Sequence, residues 1–369
     1  MTRLSVGVIG CGTIAQLKHL PHLRQFSECF RLQALCDVNP QVATAVGDLY
    51  GVSARYRDYR EMLDRERLDA VLIATNGSHA PLVLACVAEG LHVFVEKPLA
   101  FAPREADEIV QAVGKSGVVL MVGYAKRYDP AYLWAKARIA KIEDLRYVQV
   151  SVLHPVEELY WTHHRILRGA GVPEPAVPTP ESVFLAHLER DVSEGPFAYL
   201  IAESLGATAP LERRVAYLLM LESLCHDVNA LRGILGEPEA VVGSDVWQRG
   251  LAFSAQLRFP SGLRATLAWV YLPTLKRYHQ EHAFLGSDTR IRLQYPPSYL
   301  LQSPTGVVVE QGAGEVAWEQ RVTVSYLEPF AEELKQFHRC VTEGIAPVTS
   351  AEDARRDIHL LRAIASSGV

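Results

Sequence analysis

The sequence lacks any apolar stretch of membrane-spanning length and any dense run of lysine and arginine. Its 369 residues include 37 basic and 42 acidic side chains, which give a formal net charge of −5. A helix that crosses a membrane needs about 20 consecutive apolar residues, and a surface that binds nucleic acid needs clustered basic side chains. We therefore expect neither a membrane nor a nucleic acid as a partner.

Cysteine is scarce, and the few cysteines are scattered along the chain. No CxxC pair occurs and no histidine lies at ligand spacing, which argues against a disulfide framework and a structural zinc site. An apolar run begins directly after residues 1–3, which leaves no room for a signal peptide. We expect a cytoplasmic protein without a metal, in which most thiols are buried and inert. The cysteines are Cys11, Cys29, Cys36, Cys86, Cys225 and Cys340.

What the sequence does contain is a glycine-rich turn that directly follows an apolar run, 4–9 (LSVGVI). The turn reads Gly10-Cys11-Gly12-Thr13-Ile14-Ala15 and passes into an amphipathic stretch over 14–26. A strand, a GxGxxA turn and a helix in this order are typical of dinucleotide-binding units, in which the helix N-terminus holds the pyrophosphate. A second apolar run ends in Asp37, 25 residues beyond Gly12, where an acid that binds ribose hydroxyls is expected. The alternative is an ordinary glycine turn followed by a surface aspartate.

Apolar runs alternate with helical patterns from residue 1 to about 122. Because the predicted strands are almost wholly apolar, they indicate a parallel sheet covered by helices on both faces, and ligands bind beyond the carboxyl ends of such strands. The run 70–74 ends in a polar loop that contains Thr75, Asn76 and His79. The run 91–95 ends in Glu96 and Lys97 before a proline, so Lys97 lies either at the rim of a binding crevice or on an ordinary solvated surface.

Several of these segments together resemble the Gfo/Idh/MocA family (glucose-fructose oxidoreductase, inositol dehydrogenase and rhizopine catabolism) of nicotinamide-dependent enzymes. The resemblance is dense over residues 4–132 and thinner toward the C-terminus, and the EKP tripeptide is its most specific sign. The segments are GCGTIA, CDVNP, ATNGSHA, VFVEKPLA and VGYAKRYDPAY.

The resemblance and the length of the chain imply an α/β protein of two domains. Residues 1–124 are expected to form a Rossmann domain with a doubly wound parallel sheet. Residues 125–350 are expected to form an α+β domain with a large, mostly antiparallel open sheet, because runs rich in β-formers are separated there by Gly, Pro and Ser turns. This sheet would also join subunits into a homodimer or homotetramer. The C-terminal helix, 351–369, is expected to pack back on the first domain.

Residues 155–210 form an insertion that is longer than the family pattern leads us to expect. Long insertions in compact domains are often binding loops, and an aromatic side chain can stack on a sugar ring. Trp161 and His163 therefore belong either to a substrate-binding element or to a solvated flap.

The pattern over 211–235 predicts one amphipathic helix. At about 100° per residue, Glu222, His226 and Asn229 fall on one flank of its apolar stripe, whereas Asp227 falls on the other side. A histidine and a glutamate one turn apart often merely pair with each other. The resemblance implies more, because the family carries an acid four residues before a histidine that exchanges a proton with the substrate hydroxyl. Departures from the family pattern are Glu222 for the usual aspartate, Asn229 for a second acid and Ala125 for a frequent asparagine, and these put the substrate in doubt.

The implied activity is hydride transfer between nicotinamide and a secondary hydroxyl of a small-molecule sugar, cyclitol or related polyol. Asp37 favours NAD over NADP, since a carboxylate repels a ribose 2′-phosphate. The alternatives are a redox-neutral, NAD-dependent glycoside hydrolase, lyase or epimerase that works by transient oxidation, and a non-catalytic dinucleotide-binding sensor.

The predicted catalytic residues are Lys97, Glu222 and His226. The predicted cofactor-binding residues are Gly10, Cys11, Gly12, Thr13, Ile14, Asp37, Thr75, Asn76, His79, Glu96, Lys97 and Arg127. The predicted substrate-binding residues are Lys97, Tyr124, Lys126, Trp161, His163, Glu222 and His226.

Overall fold

The computed structural model describes residues 2–169 and 179–368, and the chain divides into two compact units. The first unit comprises Met1–Ala125, Thr162–Pro175 and Phe330–Ile358, and the second comprises Lys126–Trp161, Ala176–Pro329 and His359–Val369. The chain first passes from the first unit to the second after residue 125, one residue from the predicted domain boundary. Two other boundaries differ from the prediction. Part of the predicted insertion belongs to the first unit, and the C-terminal segment that returns to the first unit begins at residue 330 rather than 351.

The first unit is built on six strands and on the helices that connect them. The strands are β1 (Leu4–Ile9), β2 (Phe30–Cys36), β3 (Ala54–Tyr56), β4 (Ala70–Ile73), β5 (His92–Glu96) and β6 (Leu120–Gly123), and the helices are α1 (Leu20–Gln25), α2 (Pro40–Tyr50), α3 (Tyr59–Arg65), α4 (Ala80–Ala88) and α5 (Pro103–Ser116). The strand order is β3-β2-β1-β4-β5-β6, and every pair is parallel. The predicted doubly wound Rossmann sheet is confirmed.

The turn after β1 shows why its first residue is glycine. Gly10 has φ +90°, and a Cβ atom at this position would lie 2.7 Å from the carbonyl of Ala74. A side chain would therefore be strained and would collide with the end of β4. The helix predicted over 14–26 begins instead with a π-helical turn, Ala15–His19, which continues into α1.

The second unit is built on an eight-stranded sheet in the order β14-β13-β12-β11-β7-β10-β9-β8. Only β7 and β10 pair in parallel, so the predicted, mostly antiparallel sheet is confirmed. The sequence pattern did not predict β12, β13 or β14. The strands are β7 (Tyr147–His154), β8 (Ala240–Trp247), β9 (Ala252–Arg258), β10 (Arg264–Tyr271), β11 (His279–Leu285), β12 (Thr289–Gln294), β13 (Gly306–Ala313) and β14 (Val316–Thr323).

Helices complete both units. The long helix predicted over 211–235 is divided, because a π-helical turn at Met220–Leu224 separates α10 from α11. Within the described residues, no helix combines the length and the apolar character that crossing a membrane requires. The remaining helices are α6 (Pro130–Ile139), α7 (Glu158–Trp161), α8 (Glu181–Glu194), α9 (Ala198–Leu205), α10 (Leu211–Leu219), α11 (Cys225–Leu235), α12 (Pro329–Glu343) and α13 (Ala351–Ser366).

Candidate functional site

The glycine turn of the first unit leaves space above its backbone. A Cβ atom at Gly12 would meet no atom within 4 Å, so no neighbouring protein atom requires glycine at this exposed position. The backbone N–H of Cys11 donates to Asp37 Oδ2 over 2.8 Å, and the N–H of Asn39 donates to Asp37 Oδ1 over 2.8 Å. The carboxylate at the end of β2 is thereby fixed beside the turn.

The loop after β4 adds an unused hydroxyl at the same edge of the sheet. Thr75 Oγ1 is buried and has no hydrogen-bond partner among the described residues. Its Cγ2 would lie 2.9 Å from a Cβ atom at Gly10, so Thr75 packs directly against the turn. Buried hydroxyls are usually hydrogen-bonded. A free hydroxyl, an oriented carboxylate and open space above Gly12 together fit a ligand that carries ribose and phosphate oxygens, such as a dinucleotide.

Three of the predicted cofactor-binding residues are engaged with protein groups instead. His79 is fully buried, its ring nitrogens lie 2.6 Å from the Pro98 carbonyl oxygen and 2.9 Å from that of Thr75, and burial lowers the pKa of the ring. The Cys11 thiol is buried, and burial raises its pKa to about 12, so this side chain is not presented to a ligand. Glu96 is also buried and binds His19. Among the predicted residues of the polar loop, Asn76 is exposed.

Lys97 follows β5, and its backbone is held from both sides. Its N–H donates to Glu96 Oε2 over 3.3 Å, and the Lys97–Pro98 peptide is cis. Glu96 Oε1 in turn accepts a hydrogen bond from His19 Nε2 over 2.7 Å. Burial alone would raise the pKa of Glu96, but the bond to His19 holds it below its usual value. The Lys97 side chain is half-buried, as expected for a residue at the edge of a crevice.

A second acidic residue, which the sequence pattern did not identify, lies beside the pair of His19 and Glu96. Glu333 of α12 is completely buried, and neither of its carboxylate oxygens has a hydrogen-bond partner among the described residues. One donor atom each from His19, Glu96 and Glu333 lies within 4.8 Å of the other two. Burial and the neighbouring Glu96 raise the pKa of Glu333 well above its usual value. Two buried acidic side chains whose pKa values are shifted in opposite directions therefore lie side by side.

In the second unit, Glu222 and His226 lie on the two sides of the junction between the π-helical turn and α11. The turn is fixed to the sheet, because Trp269 Nε1 of β10 donates to Ser223 Oγ over 2.9 Å. The Trp269 ring stacks on Phe253 of β9, with centroids 5.3 Å apart. Glu222 is exposed and His226 is half-buried. Both side chains are thus presented at a surface by a segment that the sheet holds in place, and π-helical turns are frequent at functional sites.

The residue after His226 is the most heavily bonded acid of the second unit. Asp227 is completely buried, and its Oδ1 accepts hydrogen bonds from Lys126 Nζ over 2.9 Å, from His282 Nε2 over 2.8 Å and from Gln280 Nε2 over 2.7 Å. Burial alone would raise the pKa of Asp227, but Lys126 and His282 hold it far below its usual range. This network fixes the first turn of α11, which carries His226.

The predicted ligand-binding residues near the start of the second unit have structural partners. Lys126 is bound to Asp227, and its ammonium lies 4.7 Å from the centroid of the Tyr295 ring. Arg127 Nη1 donates to Asn229 Oδ1 over 3.0 Å and to the Asn229 carbonyl over 3.2 Å. Asn229 is completely buried, so it does not line the crevice edge that the helical pattern predicted. In the first unit, Tyr124 is buried to 1% exposure.

The two predicted residues of the insertion fall on different sides of a unit boundary. Trp161 ends α7 in the second unit and is half-buried, whereas His163 is exposed and belongs to the first unit. The His163 ring lies 4.0 Å from the His164 ring between centroids. The aromatic residue of α7 that contacts the loop between β10 and β11 is Tyr160, whose hydroxyl donates to the Lys276 carbonyl over 2.9 Å and whose ring contacts Tyr278.

Comparisons with known proteins agree with this architecture. Residues 4–124 match the model of the GFO_IDH_MocA family, described as an oxidoreductase family with an NAD-binding Rossmann fold. The chain is 24% identical over 368 aligned residues to the myo-inositol 2-dehydrogenase of Thermotoga maritima, with 95% of this chain and 92% of that protein covered. It is 38% identical over 142 residues to the inositol 2-dehydrogenase of Paracoccus denitrificans, with 38% and 42% covered. The family match rests on residues 4–124, and the similarity to the Thermotoga maritima enzyme extends over 95% of the chain.

Solved structures of similar fold extend over the whole chain. A 3-ketoreductase from Actinomadura kijaniata, in complex with NADP and TDP-benzene, matches with a TM-score of 0.73 at 19% identity and covers 100% of this chain and 98% of its own. A UDP-N-acetylglucosamine 3-dehydrogenase from Acidithiobacillus ferrooxidans matches with a TM-score of 0.71 at 17% identity and the same coverage. The family that residues 4–124 match is an oxidoreductase family with an NAD-binding Rossmann fold, and the matched region includes Lys97.

Proposed function

We propose that the protein is an NAD-dependent dehydrogenase that oxidises a secondary hydroxyl of a sugar, cyclitol or related polyol. The observation that carries this proposal is the edge of the first sheet, where Gly12, Asp37 and Thr75 offer space, a carboxylate and a free hydroxyl to a dinucleotide. The names of the similar proteins, which are inositol dehydrogenases, a 3-ketoreductase and a sugar-nucleotide 3-dehydrogenase, support oxidation at a ring carbon that bears a hydroxyl.

The chain's own residues supply binding and proton transfer. When bound, the nicotinamide accepts the hydride that leaves the hydroxyl-bearing carbon. His226 takes the proton of that hydroxyl as general base, and Glu222 keeps the imidazole oriented and its proton affinity near neutral pH. Lys97 is the proposed hydrogen-bond donor that stabilises negative charge developing on a substrate oxygen. Asp227, Lys126 and His282 act only by positioning the turn of α11 from which His226 projects.

Substitution of Lys97 and of His226 tests these roles. We expect Lys97→Met and His226→Gln each to lower kcat by about 10²–10⁴-fold, while NADH still binds. Lys115→Met, in an exposed position of α5, and His187→Gln, in an exposed position of α8, are the matched controls and should keep full activity. Unchanged kcat in Lys97→Met or His226→Gln would remove that residue from the mechanism.

The choice of cofactor follows from Asp37. Its carboxylate is oriented by two backbone N–H groups beside the turn, and it would repel a 2′-phosphate at the ribose. We expect NADH to bind at least tenfold more tightly than NADPH in fluorescence titrations, and Asp37→Ser to reduce that ratio. A preference of the wild type for NADPH, the cofactor type seen in the Actinomadura kijaniata structure, would contradict this part of the proposal.

Substrate class can be established with a panel of cyclitols, free sugars and sugar nucleotides. NADH accumulation with NAD and one class of these compounds is the expected result. Glycoside cleavage without net NADH would favour the redox-neutral alternative. Binding of NADH without turnover of any compound, combined with unchanged biological function of the Lys97 and His226 variants, would favour a sensor.

A further inference from the structure

A short segment of the predicted insertion lies against the glycine turn, although it follows that turn by about 150 residues. This segment, residues 162–169, is referred to below as the strap, and it belongs to the first unit. The strap joins that unit through the side chain of Gln16, which follows the GxGxxA motif by one residue. Gln16 Nε2 donates to the Leu167 carbonyl over 2.9 Å, and Leu167 N–H donates to Gln16 Oε1 over 2.8 Å.

The same amide connects the strap to the turn itself. Gln16 Nε2 also donates to the Cys11 carbonyl over 2.7 Å, and Cys11 N–H donates to Asp37. A continuous chain of hydrogen bonds therefore runs from the acid at the end of β2 through the turn after β1 to Leu167. A glutamine side chain presents a donor and an acceptor side by side, as a backbone residue does, so it holds the strap much as a neighbouring strand would.

A second connection lies at the end of β2. Asn39 Nδ2 donates to the Arg168 carbonyl over 3.5 Å. A Cβ atom at Gly169, where φ is +81°, would lie 3.0 Å from Asn39 Nδ2 and 3.1 Å from Gln41 Oε1. The strap thus reaches both strand ends between which the adenosine and pyrophosphate of a dinucleotide lie in a Rossmann unit.

We propose that the strap is part of the dinucleotide site and that Gln16 is a positioning residue that latches it, so that the cofactor is retained between turnovers. The inference rests on the proposed function, because it assumes that a dinucleotide occupies the turn. Release of the cofactor then requires both Gln16–Leu167 hydrogen bonds to open. The strap determines how fast NADH leaves rather than which chemical step follows.

The dissociation rate of NADH, measured by displacement in a stopped-flow fluorimeter, tests the latch. Gln16→Leu removes the amide, and Gly169→Ala pushes the strap from its other end without altering the turn. We expect each variant to release NADH about tenfold faster than the wild type, since two hydrogen bonds of ordinary strength are worth at least that factor. Gln111→Leu, in an exposed position of α5, is the matched control and should release NADH at the wild-type rate.

Hydrogen exchange gives a second readout that does not depend on activity. NADH should slow exchange at 162–169 in the wild type and much less in Gln16→Leu, because the Leu167 amide then loses its acceptor. Unchanged dissociation rates in both Gln16→Leu and Gly169→Ala would overturn the latch while leaving the proposed function intact. Failure of the wild type to bind NADH at all would overturn the proposed function, and the latch with it.

Discussion

Two completely buried carboxylates, Asp227 in the second unit and Glu333 in the first, have pKa values shifted in opposite directions. Burial disfavours the ionised form of both. Asp227 nevertheless remains charged because Lys126, His282 and Gln280 all donate to it. Glu333 has no hydrogen-bond partner among the described residues, and burial together with the neighbouring Glu96 raises its pKa. Partners, and not depth, determine which buried acid carries charge.

The two acids also stand next to the two proposed reactive groups. Asp227 directly follows His226, and Glu333 approaches Glu96, which directly precedes Lys97. A charged network holds the turn that carries His226 in place, whereas Glu333 lies beside Glu96 without a hydrogen-bond partner among the described residues. The two buried acids near the proposed reactive groups of this protein thus have opposite electrostatic environments, and substitutions at Asp227 and Glu333 test this difference.

The largest effect is expected for Asp227→Asn. The change removes the charge that Lys126 requires, and it leaves a nearly buried cation without compensation. We expect the free energy of unfolding to fall by about 3–5 kcal/mol, measured by urea titration, and kcat to fall with it. Asp191→Asn, in an exposed position of α8, should change stability by less than about 0.5 kcal/mol. A loss at Asp227 no greater than that control would show that the network does not hold α11.

A smaller loss is expected for Lys126→Met. Asp227 then keeps the hydrogen bonds from His282 and Gln280, so part of its compensation remains. We expect a loss of about 2–3 kcal/mol and a pKa of Asp227 closer to its usual value. Acid titration of stability provides the measurement, because a higher folded-state pKa makes the contribution of Asp227 disappear at a higher pH. A Lys126→Met protein as acid-resistant as the wild type would contradict the assignment of Lys126 as the main partner.

The pH dependence of stability should separate the two acids. Asp227 has a lowered folded-state pKa, so its contribution is present above the unfolded value of 3.8 and is lost as pH falls through the folded value. Glu333 has a raised folded-state pKa, so its contribution is present below the unfolded value of 4.5 and is lost as pH rises through the folded value. We expect Glu333→Gln to flatten that alkaline loss, which amounts to at most about 1.4 kcal/mol per pH unit.

Glu343→Gln, at an exposed position of α12, is the control and should leave the pH profile of the wild type unchanged. If Glu333→Gln and the wild type lost stability in parallel as pH rises, Glu333 would be ionised in the folded protein.

The smallest effect is expected for Glu333→Gln below pH 4.5, the unfolded value, where the carboxyl is protonated in both the folded and the unfolded protein. An amide resembles a protonated carboxyl in shape and carries no charge. We expect the free energy of unfolding, measured in urea titrations, to change by at most about 1 kcal/mol. Asp227→Asn, which is also a change from a carboxyl to an amide of similar shape, is expected to lower it by much more. A loss as large as that of Asp227→Asn would mean that Glu333 has a charged partner in the working protein.

Sequence patterns predicted the first unit well because its signals are local. The apolar run before Gly10, the acid at Asp37 and the tripeptide at Glu96–Pro98 each lie within one strand-turn unit, and the parallel sheet follows from their alternation. Its site residues were harder to predict, since His79 and Glu96 are polar residues in ligand-like positions whose partners, Pro98 and His19, come from other segments.

The second unit shows what a local pattern cannot supply. A straight helix at 100° per residue placed Asp227 away from the site and Asn229 at its edge, but a π-helical turn precedes α11, and Asn229 is bound by Arg127. Two partners of Asp227 come from β11, more than 50 residues later, and the third, Lys126, lies 101 residues earlier. Only the tertiary fold brings these side chains together, so no spacing in the sequence could identify them. Association of subunits through the second sheet stays a prediction.

Hydride transfer itself is tested most directly by isotope tracing. The protein is incubated with NAD and cyclitols or sugars deuterated at their hydroxyl-bearing carbons, and the nicotinamide is examined by NMR. We predict that one of these compounds yields NADH with deuterium at the nicotinamide C4 position, and that Lys97→Met and His226→Gln abolish this transfer. NAD that binds but remains unlabelled and oxidised with every compound would contradict the assignment of the protein as a polyol or sugar dehydrogenase.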